Sequence, residues 1–287
     1  MLEVRALERS YGGVLAVRGV NFTLRPGEIC GYLGPNGSGK TTTIRMLTGL
    51  LAPTRGAIYY DGSDVADDLR SYKARLGYVP EEAQIYTHLT GNEYLELVGG
   101  LRGLAGATVK ERARGLLDAF AFGPSRHALI SSYSKGMKQK VLIAAALLHD
   151  PEILILDEPL AGLDVTSVLL VRNLMQALAR RGKIVLFSSH MLESVERAAE
   201  RVIVLYRGLV VADDTVAHLG ALSAQPSLEG IFAQLTSQPD LEGAADDLAR
   251  LLSGAGPSAA PPRVPLGRAP DREPHTPPPG TRLNSQH

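Results

Sequence analysis

One stretch of eight residues constrains this chain more than any other. Gly34-Pro35-Asn36-Gly37-Ser38-Gly39-Lys40-Thr41 fills the pattern G-x-x-x-x-G-K-[ST]. The apolar run Gly27-Glu28-Ile29-Cys30-Gly31-Tyr32-Leu33 before it reads as a short buried strand, and Thr41 to Leu47 after it reads as the start of a helix. A strand, a glycine loop and a helix N-terminus together make an anion cradle. Glycines let backbone N–H groups converge on phosphate oxygens, and the helix dipole favours negative charge there. Lys40 is expected to reach the β- and γ-phosphates and the Thr41 hydroxyl to ligate Mg²⁺, with the phosphate-binding set running from Gly34 to Thr42. The chain is therefore expected to bind a nucleoside triphosphate.

A second element adds chemistry to binding. Ile153-Leu154-Ile155-Leu156-Asp157-Glu158-Pro159 is an apolar run ending in two carboxylates. Four consecutive apolar residues suit a strand buried on both faces of a parallel sheet. Asp157 then emerges at the carboxyl edge, where α/β sheets place their ligands, and is expected to hold Mg²⁺. Glu158, one residue on, is placed to polarise an attacking water.

Between these elements lies Tyr133-Ser134-Lys135-Gly136-Met137-Lys138-Gln139-Lys140. It resembles the signature loop of ATP-binding-cassette (ABC) proteins, usually written L-S-G-G-Q. Ser134 and Gly136 keep that pattern; Tyr133, Lys135 and Met137 depart from it. The variant Tyr-Ser-Lys-Gly-Met is familiar in the branch linked to drug, ion and polysaccharide exporters. A helix of good helix formers, Lys138 to His149, follows, with Ser134 as a suitable cap. The resemblance implies an α/β fold of the P-loop NTPase, ABC ATPase type, with an antiparallel β layer and an inserted α-helical subdomain.

The same resemblance implies roles for further residues. Tyr11 matches the aromatic that stacks on adenine. Ser134, Lys135, Gly136 and Met137 match the loop that completes the ATP site of a partner subunit. Asp164 matches the loop that crosses the interface between two such subunits. His190 matches the switch histidine that contacts the γ-phosphate. The family usually places a Gln after a strand ending in Pro, on Mg²⁺ and the attacking water. Here Leu76-Gly77-Tyr78-Val79-Pro80 leads to Glu81, a carboxylate that ligates Mg²⁺ as well as an amide does; Gln84, past the expected turn, is the alternative. The implied catalytic set is Glu158, His190 and Glu81, and the implied Mg²⁺ set is Thr41, Asp157 and Glu81.

Composition narrows the partners. Of 287 residues, Lys and Arg number 30 and Asp and Glu number 30, so the net charge is zero and a basic face for nucleic acid is not expected. The single cysteine, Cys30, excludes an internal disulfide framework. No apolar run reaches the length of a membrane span, and residues 1–20 lack the apolar core of a secretory signal.

The resemblance covers about residues 1–236, with a helical insert near 84–150. There Leu95, Val98 and Leu101, then Val109, Ala113, Leu116, Leu117 and Phe120, recur at helical spacing. Residues 227–232 resemble a short closing helix, and 237–253 read as a further helical segment. In residues 254–287, nine of 34 positions are proline and none is aromatic, so this tail cannot bury enough apolar surface to order itself.

The expectation is an ATP-binding and ATP-hydrolysing subunit, peripheral on the cytoplasmic face of a membrane. It energises transport, by analogy export, through a separate membrane-spanning permease. Its second partner is another ATP-binding subunit, an identical chain or a paralogue. Two alternatives stay open. A soluble ABC ATPase acting on DNA or ribosomes is expected to carry long coiled coils or two cassettes. A nucleotide-gated binding module is expected to lack the pair Asp157 and Glu158.

Overall fold

Four parallel strands lying side by side bring the glycine loop, Glu81, Asp157 and Glu158 to one edge of a sheet. The computed structural model describes residues 1–223 apart from 83, 190 and 191, all within the compact unit Met1–Ser237. His190 and the segments 227–232, 237–253 and 254–287 lie outside the described residues.

The chain opens with the hairpin β1 (Leu2–Tyr11) and β2 (Val14–Leu24), turned by Gly12 and Gly13, both at positive φ. Then come β3 (Ile29–Leu33), α1 (Lys40–Leu47), β4 (Arg55–Tyr60), the short β5 (Ser63–Asp64), α2 (Leu69–Ala74) and β6 (Leu76–Val79). Three helices follow, α3 (Gly91–Leu101), α4 (Gly106–Ala119) and α5 (Lys135–Leu147), with two short 3₁₀ turns before α5. The rest alternates as β7 (Ile153–Leu156), α6 (Val165–Arg180), β8 (Ile184–Ser188), α7 (Leu192–Glu196), β9 (Arg201–Tyr206), β10 (Leu209–Thr215) and α8 (Val216–Ser223).

One sheet is antiparallel, in the order β2-β1-β4-β5. The other runs β10-β9-β3-β8-β7-β6, parallel except for β10 at its edge. Its central strands read as continuous apolar runs because both faces are covered: all residues of β3, β7 and β8 are buried. Alternate side chains feed two cores. Ile153, Ile155, Ile184 and Leu186 pack with α1 and the antiparallel sheet, while Leu154, Leu156, Val185 and Phe187 pack with α3 to α6. Truncating Leu156, which is 1 % exposed, is expected to cost about 2–5 kcal/mol.

The helical region is rooted in this sheet. Val141, Leu142 and Ile143 of α5 share one core with Val79 of β6, Leu95 of α3 and Leu117 of α4. Caps set its boundaries. Thr90 and Glu93 form a reciprocal capping box at α3, and the Ser134 hydroxyl accepts from the Met137 amide at the start of α5. Of the helically spaced apolar positions, Leu101 departs from expectation. It is 79 % exposed, because α3 ends there and its last turn runs past the edge of the core.

Candidate functional site

The glycine loop joins β3 to α1, and its geometry explains its glycines. A Cβ on Gly34 would stand 2.3 Å from the Leu205 carbonyl oxygen and 2.5 Å from Ser38 Oγ. Gly39 caps α1 at φ 105°, where a Cβ would stand 2.6 Å from the Ala16 carbonyl oxygen. Lys40 is buried, and its ammonium donates to the carbonyls of Gly34 at 2.6 Å and Pro35 at 3.2 Å. Burial pushes its pKa down, while Glu158, Asp157 and Glu81 pull it back up. The loop thus presents a cation held by its own backbone and surrounded by three carboxylates.

Those carboxylates come from the neighbouring strands. Asp157 follows β7 directly, and its amide donates to the Val79 carbonyl of β6 at 2.8 Å. Only 1 % exposed, its carboxyl is pushed above the usual range chiefly by burial, with Glu81 and Glu158 adding to the rise and Ser188 and Lys40 opposing it. Its Oδ1 accepts from the Ser188 hydroxyl at 2.5 Å, and its buried Oδ2 has no hydrogen-bond partner among the described residues. Glu158 has φ 50°, a left-handed conformation that is costly for a residue with a side chain and is often found where function demands it.

A cavity of about 280 Å³ unites these groups: Ala16, Asn36, Gly37, Gly39, Lys40, Thr41, Thr42, Glu81, Asp157 and Glu158 line it. Thr41, Glu81 and Asp157 also border a larger cleft of about 660 Å³, together with Gln84 and residues of α3 and α5. Glu81 thus borders both cavities, and Gln84 only the larger one. Among the described residues no group of three or more His, Cys, Asp or Glu stands ready to hold a metal by itself.

Other expected residues stand apart from that cavity. Tyr11 ends β1, 46 % exposed, beneath the Arg9 guanidinium. Ser134, Lys135, Gly136 and Met137 open α5 and do not line the cavity. Gly136 lies so close to the loop after β7 that a Cβ would stand 2.6 Å from the Gly162 carbonyl oxygen. Asp164 caps α6, accepting from the Ser167 amide at 2.8 Å, and pairs with Lys140 of α5 at 3.0 Å. These bonds hold its carboxyl well below the usual range.

Sequence reasoning did not assign Ser188 a role. It is fully buried at the end of β8, donates to Asp157 and accepts the Glu158 amide at 3.1 Å, so one hydroxyl orients both carboxylate residues. The available signal was a small polar residue closing an apolar strand. Ser38 of the loop is 2 % exposed, and its hydroxyl has no partner among the described residues.

Residues 17–161 match the family model described as ABC transporter. The chain is 39 % identical over 220 residues to the ABC transporter ATP-binding protein NatA of Bacillus subtilis, covering 76 % of this chain and 89 % of that one. It is 37 % identical to the daunorubicin/doxorubicin resistance ATP-binding protein DrrA of Streptomyces peucetius, spanning 76 % of this chain and 66 % of that relative. Among solved structures, a dimeric ATP-binding cassette in a post-hydrolysis state, bound to ADP and Pi, superimposes with a TM-score of 0.70 at 25 % identity, covering 75 % of this chain and 99 % of that one. The phosphate loop, the carboxylates at the sheet edge and these similarities agree: the chain belongs to the ABC transporter family, among its ATP-binding subunits.

Proposed function

We propose that this subunit binds ATP with Mg²⁺ in the cavity at the ends of β3, β6, β7 and β8 and hydrolyses it to energise a separate membrane-spanning partner. One observation carries this reading: Lys40, Glu81, Asp157 and Glu158 meet in one cavity, with Asp157 Oδ2 buried and without a partner among the described residues. An orphaned buried carboxylate oxygen is costly unless something is bound against it. The donor set fits Mg²⁺, which is held through one or two carboxylates plus substrate phosphates rather than by an all-protein cage. Thr41, Asp157 and Glu81 are the residues to hold it. When bound, the ion neutralises charge on the β- and γ-phosphate oxygens.

Within the site the remaining roles follow from position. Lys40 exchanges its loop carbonyls for phosphate oxygens. Glu158 takes a proton from the water that attacks the γ-phosphorus as the bond to the bridging oxygen breaks. Tyr11 stacks on the adenine, and His190 contacts the γ-phosphate. Ser134, Lys135, Gly136 and Met137 open α5 outside the cavity, which favours their completing the site of a second subunit, with Asp164 near that interface. The dimeric ADP-bound cassette supports such a pairing, with an identical chain or a paralogue. No helix among the described residues is long and apolar enough to cross a membrane. The likeness to the ATP-binding proteins NatA and DrrA favours a membrane-spanning partner on another polypeptide, with this subunit peripheral on the cytoplasmic face. Likeness to a drug-resistance protein favours export.

The test is phosphate release by the purified chain and its Lys40→Ala variant. Loss of turnover with weakened nucleotide binding is expected, since the lysine charge stabilises the transferred phosphoryl group; near-normal turnover would overturn the reading.

A further inference from the structure

We infer that Arg9 is a positioning residue for the nucleotide base: it holds the Tyr11 ring from behind, so that only the opposite ring face receives adenine. This rests on the proposed adenine role of Tyr11.

The geometry has three parts. The Arg9 guanidinium carbon lies 4.9 Å from the centroid of the Tyr11 ring, within cation–π range. Arg9 Nη1 donates to the Ala52 carbonyl at 2.9 Å, and Nε is buried without a partner among the described residues. The guanidinium is thus held between the ring and the Ala52 carbonyl, with no ion pair to it among the described residues. The anchoring stretch is itself tied down. The Thr54 amide donates to the Glu8 carbonyl at 2.8 Å, the Ser10 amide donates to Thr54 Oγ1 at 3.1 Å, and the amides of Leu50 and Leu51 both donate to the Arg45 carbonyl of α1. Arg9 therefore links the tip of the first hairpin to the segment leaving α1, whose N-terminus carries Lys40 and Thr41.

The consequence concerns an exposed side chain. Tyr11 is 46 % exposed at a two-glycine turn, a place where a tyrosine ring samples several rotamers. A ring that must be ordered on binding costs affinity, and one already held does not. Arg9 removes that cost, covers one π-face and leaves the other for the base. Its effect passes through Tyr11 and involves no phosphate contact.

The experiment measures dissociation constants of Mg-ATP and of inorganic tripolyphosphate, which lacks base and ribose. It uses the full chain with Arg9→Ala, Arg9→Lys, Tyr11→Ala and the double variant Arg9→Ala/Tyr11→Ala. Arg9→Ala is expected to weaken ATP about two- to five-fold, the size of an exposed cation–π contact, and to leave tripolyphosphate unchanged. Arg9→Lys, which keeps a cation over the ring, should recover part of that loss. The double variant should bind ATP no more weakly than Tyr11→Ala alone, because both changes remove one unit. If Tyr11→Ala weakens ATP while Arg9→Ala does not, this inference fails and the adenine reading stands. Additive losses, a failure of Arg9→Lys to recover any affinity, or an equal loss for tripolyphosphate also overturn it, the last by showing action on the phosphates or on the fold. If Tyr11→Ala leaves ATP affinity unchanged, the adenine reading falls and this inference with it.

Discussion

Ser188 bonds both carboxylate residues at the end of β7, so the site depends on its hydroxyl. Ser188→Ala strips the donor from Asp157 Oδ1 and is expected to destabilise the fold by about 1–3 kcal/mol, the cost of an unsatisfied buried acceptor. Turnover should fall about tenfold or more as Asp157 and Glu158 lose their orientation. Thermal melts and phosphate release on the same sample check both effects. Asp157 itself carries the opposite balance. Its pKa is raised in the folded chain, first by burial and then by Glu81 and Glu158, so the fold disfavours its ionised form. The sign follows: the folded state binds this proton more tightly than the unfolded one, so the group's stability cost is present at neutral pH and is relieved as pH falls through the raised value. Asp157→Asn should therefore melt higher, by about 2–4 °C for each kcal/mol relieved, while Mg²⁺-dependent turnover collapses. A lower melting temperature would show that the carboxylate stabilises the empty site. The lysine, the two acids and the glycines were legible in the sequence because their spacing repeats a phosphate-binding pattern. Ser188 was not, since a hydroxyl thirty-one positions from its partner carries no local spacing signal.

Helix α5 is the element that joins the signature segment to the sheet, and His149, two residues past its end, reports on that junction. His149 Nε2 meets the Leu76 carbonyl of β6 at 3.0 Å, and its Nδ1 is buried without a partner among the described residues. Burial, reinforced by Arg102 and Arg112, pushes its pKa down to about 4 from 6.5, against the opposing pull of the Leu76 carbonyl and Asp150. A depressed histidine folds neutral, so its contribution is whole above about 6.5 and is lost as pH falls toward about 4. Denaturant unfolding at pH 7.5 and pH 5 should show a smaller stability loss in His149→Gln than in the parent chain; equal losses would contradict this placement. At this scale the sequence was most readable where burial is two-sided. The run Ile153 to Leu156 is the whole of β7, and Ser134 caps α5 as its position suggested. It was least readable where an element ends. The spacing that carried Leu95 and Val98 onto the core also carried Leu101, which the last turn of α3 leaves in solvent. Periodicity cannot register where the covering layer stops.

The whole molecule is an arrangement for delivering four strand ends to one place. The order β3-β8-β7-β6 sets the glycine loop, Ser188, the pair Asp157–Glu158 and Glu81 in succession along one sheet edge. Only the parallel sheet makes these sequence-distant residues neighbours, which is why motif spacing could name the loop and the carboxylates but could not order them or find Ser188 between them. The signature segment sits elsewhere in the same chain, packed on the loop through Gly162 and linked to Asp164 by Lys140. Under the proposed pairing it serves a second subunit, and loss of the γ-phosphate is then expected to loosen the shared interface and move the helical region. In the proposed reaction Glu158 drives hydrolysis at this edge. The most direct test is the rate of phosphate release at saturating Mg-ATP for the chain and for Glu158→Gln, with ATP binding measured on the same samples. The variant is expected to bind ATP as the parent does and to release phosphate about 10²–10⁴-fold more slowly, the usual contribution of a general base. Release within a few-fold of the parent rate, with ATP bound, would contradict it.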